Sequence, residues 1–133
     1  MNKLFFIFFA SMIISVVHGQ DITPFKDSSN KYGLKNDKGG IILAPQYQMI
    51  YEFSGGFALV SQNDKYGYID RTGKPVIPIQ YNDAGDFSEG LAAVKADSLF
   101  GYIDTTGKIV LPSKYENAEF FSDGLAYIEH DID

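Results

Sequence analysis

One unit of 34 residues is written three times along this chain, so its fold must be one that repetition can build. At that spacing Lys31-Tyr32-Gly33, Lys65-Tyr66-Gly67 and Leu99-Phe100-Gly101 superimpose. Gly39, Gly73 and Gly107 follow, and then Tyr47, Tyr81 and Tyr115. Next come Phe53, Phe87 and Phe121, and each copy closes with Gly56-Phe57-Ala58, Gly90-Leu91-Ala92 or Gly124-Leu125-Ala126. Residues 65–98 and 99–132 agree at 17 of 34 positions, which only duplication explains. The copies run over about 31–64, 65–98 and 99–133.

A period of 34 is also that of helix-pair repeats, but glycine and proline forbid helices here. The longest repeat stretch free of both is Ser113 to Asp123. A helix interior loses about 1 kcal/mol to Gly and about 3 kcal/mol to Pro, so two helices per copy do not fit. Strands do. Tyr66-Gly67-Tyr68-Ile69-Asp70 is rich in residues that suit a pleated surface. Arg71 to Lys74 is a short polar link carrying Gly73. Pro75-Val76-Ile77-Pro78 reads as a second strand, with each proline at a strand end or on an edge. Ile79 to Glu89 is expected to be a longer connection with one turn of helix, and Leu91-Ala92-Ala93-Val94 a third strand. The expected fold is all-β, with antiparallel three-stranded meanders stacked in a short open array so that neighbours bury what one unit cannot. Asp21 to Phe25 supplies an additional strand before Tyr32.

The first 19 residues read as a signal peptide. Lys3 gives the charged start, Leu4 to Val17 the apolar stretch, and Val17-His18-Gly19 the small-residue end. That almost wholly apolar stretch of 14 residues is too short for a bilayer, which needs roughly 20, so no membrane span is expected after cleavage. The mature domain is then 20–133, exported to the periplasm, cell surface or exterior. The chain has no cysteine, which excludes disulfides, lipid-modified cysteine and thiolate metal sites. Its net charge of −6, with dispersed lysines, disfavours nucleic acid as a partner.

The pattern resembles the WG repeat, also called the KWG repeat, of bacterial proteins. Copy two carries the likeness in Lys65 to Asp70, Thr72-Gly73-Lys74, Val76-Ile77-Pro78, Tyr81, and Phe87 to Val94. Copy three carries it through Gly101 to Asp104, Thr106-Gly107-Lys108, and Phe121 to Ala126. The family's tryptophan is Tyr32, Tyr66 and Phe100 here, and the chain has no Trp. Copy one departs further, with Leu34-Lys35-Asn36 in place of Tyr-Ile-Asp and Pro45 one place late. The resemblance implies a β-rich repeat array in bacterial, often exported, proteins, and no defined activity or ligand.

Few residues offer chemistry. Asp70 and Asp104 could act as a carboxylate pair, yet they recur because the unit recurs, and an Asp before Thr-Gly suits a turn. Glu129, His130, Asp131 and Asp133 are read as a solvated tail, so no metal and no cofactor is expected. No nucleophile elbow or phosphate loop is present. Aromatic residues are the binding candidates. Phe53, Phe87 and Phe121 are assigned to the core, and Tyr32, Tyr66 and Phe100 to stacking between units. Tyr47, Tyr81 and Tyr115, in the long connection, are expected to be the exposed set and the candidate binding residues. The expected function is a non-catalytic binding or scaffolding module of the bacterial envelope that contacts protein. A cell-wall glycan binder using the three exposed tyrosines is the alternative, and a hydrolase ranks third. The strand at Leu125 to Ile128 leaves an edge with no following strand. The acidic residues after it either blunt that edge, or association uses it.

Overall fold

The computed structural model describes residues 21–119 and 121–129. The signal-peptide assignment, His130, Asp131 and Asp133 lie outside them. Thirteen strands follow one another: β1 Thr23–Lys26, β2 Tyr32–Lys35, β3 Ile41–Tyr47, β4 Met49–Ser54, β5 Phe57–Gln62, β6 Lys65–Asp70 and β7 Pro75–Tyr81. After these come β8 Asp83–Ala84, β9 Leu91–Ala96, β10 Leu99–Asp104, β11 Ile109–Tyr115, β12 Asn117–Ala118 and β13 Ile128–Glu129. The architecture is all-β, as the glycine and proline spacing demands.

The sheets are antiparallel meanders, but the two interior ones each draw their strands from two consecutive copies. The first is β1-β2-β3, the second β4-β5-β6-β7, the third β8-β9-β10-β11 in chain order, and the last β12-β13. Adjacent strands in the second sheet are thus the end of copy one and the start of copy two. Asn63 and Asp64, both at positive φ, make the tight two-residue turn between β5 and β6.

One correction concerns the stretch Ile79 to Glu89, which holds no helix. The second strand runs on through Pro78 to Tyr81, and β8 follows after a bend at Asn82. Gly67 explains how. The ladder between β6 and β7 shifts register between Tyr66↔Tyr81 and Tyr68↔Ile77, and the bulged strand folds down onto Gly67. A Cβ there would stand 2.7 Å from the Ile77 carbonyl oxygen. Gly101 repeats the arrangement against Leu111 at 2.5 Å, so this glycine is set by close approach and not by φ. Pro78 lies on β7, an edge strand, where its missing N–H costs no ladder bond. Past the bend the backbone stays in ladders: Asn82 N–H donates to the Lys95 carbonyl and Gly85 N–H to the Ala93 carbonyl.

The core lies between successive sheets. On one face of the second sheet Ile50, Ala58, Val60 and Ile69 meet Leu34 and Tyr47 of the first. On its other face Leu59, Tyr68 and Ile77 meet Phe87, Ala92, Val94 and Ile103. That is the period-two alternation of strands buried on both sides. Phe87 is wedged between layers, its ring centroid 5.0 Å from Phe57 and 4.8 Å from Tyr68. Ser54 Oγ donates to the Phe87 carbonyl at 2.8 Å, and Ser88 Oγ to the Phe121 carbonyl at 2.6 Å, so the same hydroxyl ties each layer to the next.

Candidate interaction surface

The recurring carboxylates are turn residues. Asp70 Oδ1 accepts from the Thr72 N–H at 2.8 Å, the Thr72 hydroxyl at 2.6 Å and the Lys74 N–H at 3.1 Å. Asp104 does the same with Thr106 and Lys108. These bonds, the threonine hydroxyl first among them, hold both carboxyls below the ordinary aspartate value. In copy one Asn36 takes the place, accepting from the N–H groups of Lys38 and Gly40, so the departure of that copy leaves the turn intact.

The tyrosine expectation needs correction. Tyr47 and Tyr115 are buried, at 5% and 8% exposure, and Tyr81 is half-buried against the core. The reason is the bulge. Continuation of β3, β7 and β11 brings these rings opposite Tyr32, Tyr66 and Phe100 in the ladders, not out into a loop. Tyr32 and Tyr66 pack against the core, as expected of the stacking set, with the Lys26 ammonium 5.2 Å from the Tyr32 ring. Phe87 is fully buried, whereas Phe53 and Phe121 are half-buried.

Two tyrosines that sequence reasoning passed over hold the layers together. Tyr68 and Tyr102 are each 1% exposed. The Tyr68 hydroxyl donates to the Gly85 carbonyl at 2.7 Å, and the Tyr102 hydroxyl to the Glu119 carbonyl, in each case 17 residues on. Burial raises both phenol pKa values. The recurrence of a Tyr directly after the glycine, in Gly67-Tyr68 and Gly101-Tyr102, was the available signal.

This geometry now accounts for the repeat residue by residue. An aromatic opens the strand, a glycine admits the bulged neighbour, a tyrosine or leucine fills the layer, and an Asp or Asn closes the turn. The sequence model of the WG containing repeat matches at residues 32–66, 66–99 and 100–131. The chain belongs to the WG containing repeat family. In this WG repeat chain Tyr32, Tyr66 and Phe100 stand at the tryptophan position. None of the curated proteins and none of the solved structures compared with it matches.

Two surface features remain. A half-open groove of about 380 Å³ lies between the third and last sheets, lined by Phe100, Ala93 and Ala118, with Asp83, Asp86 and Glu119 at its walls. Desolvation, and then the neighbouring Glu52, raises the Asp86 pKa. Among the described residues no group of three or more His, Asp or Glu side chains could hold a metal ion, and no helix is long and apolar enough to cross a membrane. The second feature is the last strand segment, where Leu125, Tyr127 and Ile128 are 76%, 59% and 38% exposed.

Proposed function

We propose that this WG repeat chain is a non-catalytic binding and scaffolding module of the bacterial envelope, exported by way of residues 1–19 and acting through protein contact. One observation carries the reading: the recurring polar side chains are committed to the fold, while apolar side chains next to an open sheet edge face solvent. Asp70 and Asp104 are occupied by their turns, and Ser54 and Ser88 by the neighbouring layer. Ile41, Ile109 and Val110 are exposed on other strands, but Leu125, Tyr127 and Ile128 gather exposed apolar side chains in one short segment at the last sheet. Backbone edges with apolar side chains recognise strands of protein, by main-chain hydrogen bonds and side-chain pockets. The glycan alternative rested on Tyr47, Tyr81 and Tyr115, and two of those three rings are buried.

The test is photo-crosslinking in the intact cell envelope from a probe at Tyr127, beside sedimentation with purified peptidoglycan. Protein adducts with no retention on peptidoglycan are expected. Retention on peptidoglycan that survives Tyr127→Ser, with no protein adduct, would replace this reading with the glycan one.

A further inference from the structure

Among the described residues, the first and last sheets are incomplete in complementary ways. Each interior sheet has four strands, in which the strand ending one copy pairs with the strand opening the next: β5 with β6, and β9 with β10. The last sheet has only β12 and β13 among the described residues. The first has the opening pair β2 and β3, but β2 is covered by β1, which is four residues long and contains Pro24. β1 is a stand-in for a copy-ending strand. Its Phe25↔Gly33 and Lys26↔Tyr32 pairs match Val94↔Gly101 and Lys95↔Phe100. Lys26 lies over the Tyr32 ring as Lys95 lies over Phe100.

We infer that the exposed segment 125–129, which includes β13, is a donor for β2 of a second copy of this chain, displacing that copy's β1 and extending β13 as a strand, so that copies join head to tail. The inference rests on the protein-contact reading above and names its partner. Repeat equivalence fixes the register: Ala126 opposite the second copy's Lys35, Tyr127 opposite its Leu34, Ile128 opposite its Gly33 and Glu129 opposite its Tyr32. The product would be a four-stranded sheet, β12, β13, and the second copy's β2 and β3, like the two interior ones.

Side-chain size selects the second copy's β2 over a strand of the β6 or β10 kind. The interior ladders pair one tyrosine with one smaller residue, Leu59↔Tyr68 and Ala93↔Tyr102. Tyr127 is the large member at its position, and Leu34 is the small one, the only such strand position here without Tyr. The next pair keeps a β-branched residue opposite glycine, as in Val60↔Gly67 and Val94↔Gly101. Charge agrees as well, since Glu129 comes beside the second copy's Lys31. Because β1 competes from within its own chain at high effective concentration, association should depend on protein concentration and strengthen when β1 is weakened. Such a contact is head-to-tail, so it extends into chains of copies or closes as a ring.

Because the chain lacks cysteine, the register can be tested by disulfide trapping. Residues facing one another in an antiparallel ladder have Cα atoms about 4.5–5.5 Å apart, within disulfide reach. Mature Ala126→Cys mixed with Lys35→Cys should give a disulfide-linked heterodimer under mild oxidation, and the linkage should be lost when Lys35→Cys is replaced by the out-of-register Lys38→Cys. Light scattering of the cysteine-free chain should show mass rising with concentration, abolished by Tyr127→Lys with an unchanged circular dichroism spectrum. Trapping of Ala126→Cys with itself would mean that two last strands pair, and would overturn the inference. So would equal trapping at positions 35 and 38, or a monomer at every concentration. A monomer that still gives hetero-protein adducts from Tyr127 refutes this inference alone, whereas a monomer with no adducts refutes the protein-contact reading too.

Discussion

Leu91-Ala92-Ala93-Val94 and Leu125-Ala126-Tyr127-Ile128 occupy the same place in successive copies, and they end in opposite environments. Ala92, Ala93 and Val94 are 0–5% exposed, between β8 and β10 in a four-stranded sheet. Leu125 and Tyr127 are more than half exposed, and the stretch pairs on one side alone among the described residues, Leu125 with Ser122 and Ile128 and Glu129 with β12. Composition does not separate the two stretches, since the second is the more apolar in bulk. The neighbours do. In a repeat array the burial of a strand depends on the ladder that follows it, and a segment of core composition is left on the surface where the described residues hold no such ladder.

The layer aromatics should show this contrast most strongly. Phe87→Ala, in the interior, should cost about 3–5 kcal/mol in urea denaturation, the usual loss for a buried ring. The equivalent Phe121→Ala should cost clearly less, because that ring is half-buried and is edge-on to Tyr102 at 5.0 Å. Equal losses would mean that the last layer is as well packed as the interior.

A smaller loss is expected where the interior backbone closes on a glycine. Gly67→Ala must push a methyl against the Ile77 carbonyl, and about 1–3 kcal/mol of overpacking cost should appear in the same titration. Gly124→Ala, whose Cβ would meet nothing within 4 Å, tests the other end. Its positive φ of 76° leaves backbone strain as the cost, with no steric clash.

Tyr68→Phe should destabilise by about 1 kcal/mol, the net worth of a hydrogen bond whose removal leaves the Gly85 carbonyl short of its partner. Tyr102→Phe should behave likewise, since the third sheet is complete. A markedly smaller effect for Tyr102 would extend the looseness of the last layer one strand inward.

The smallest effects are electrostatic and have opposite signs. Asp70 and Asp104 have folded pKa values below the ordinary 3.8, so their contribution to stability is present above that value and lost as pH falls through the depressed ones. Asp86 is raised by desolvation and by Glu52, so its contribution is present at low pH and lost as pH rises through its folded value. Carboxyl carbon shifts followed by NMR should titrate in the order Asp70 and Asp104 first, then Asp86, on raising the pH.

Much of this was legible in the sequence, because repetition multiplies a weak local signal. Strand positions, the turn role of Asp70 and Asp104, and a strand before Tyr32 all follow from residue types at fixed offsets. The bulge does not. The sequence marks Gly33, Gly67 and Gly101 but not that the neighbouring strand folds onto them, and so it places Tyr47, Tyr81 and Tyr115 in a loop when they belong to ladders. Nor does alignment of copies show that a sheet takes its strands from two of them. That follows from hydrogen bonding across the copy boundary, and it is what makes the two ends of the array unlike its middle.

Hydrogen exchange on dilute mature chain measures that difference most directly. Amides of Ala92, Ala93 and Val94 should exchange only through global unfolding, while those of Ala126, Tyr127 and Ile128 exchange through local opening, orders of magnitude faster. Equal protection of the two stretches at a concentration where the chain is monomeric would contradict the account.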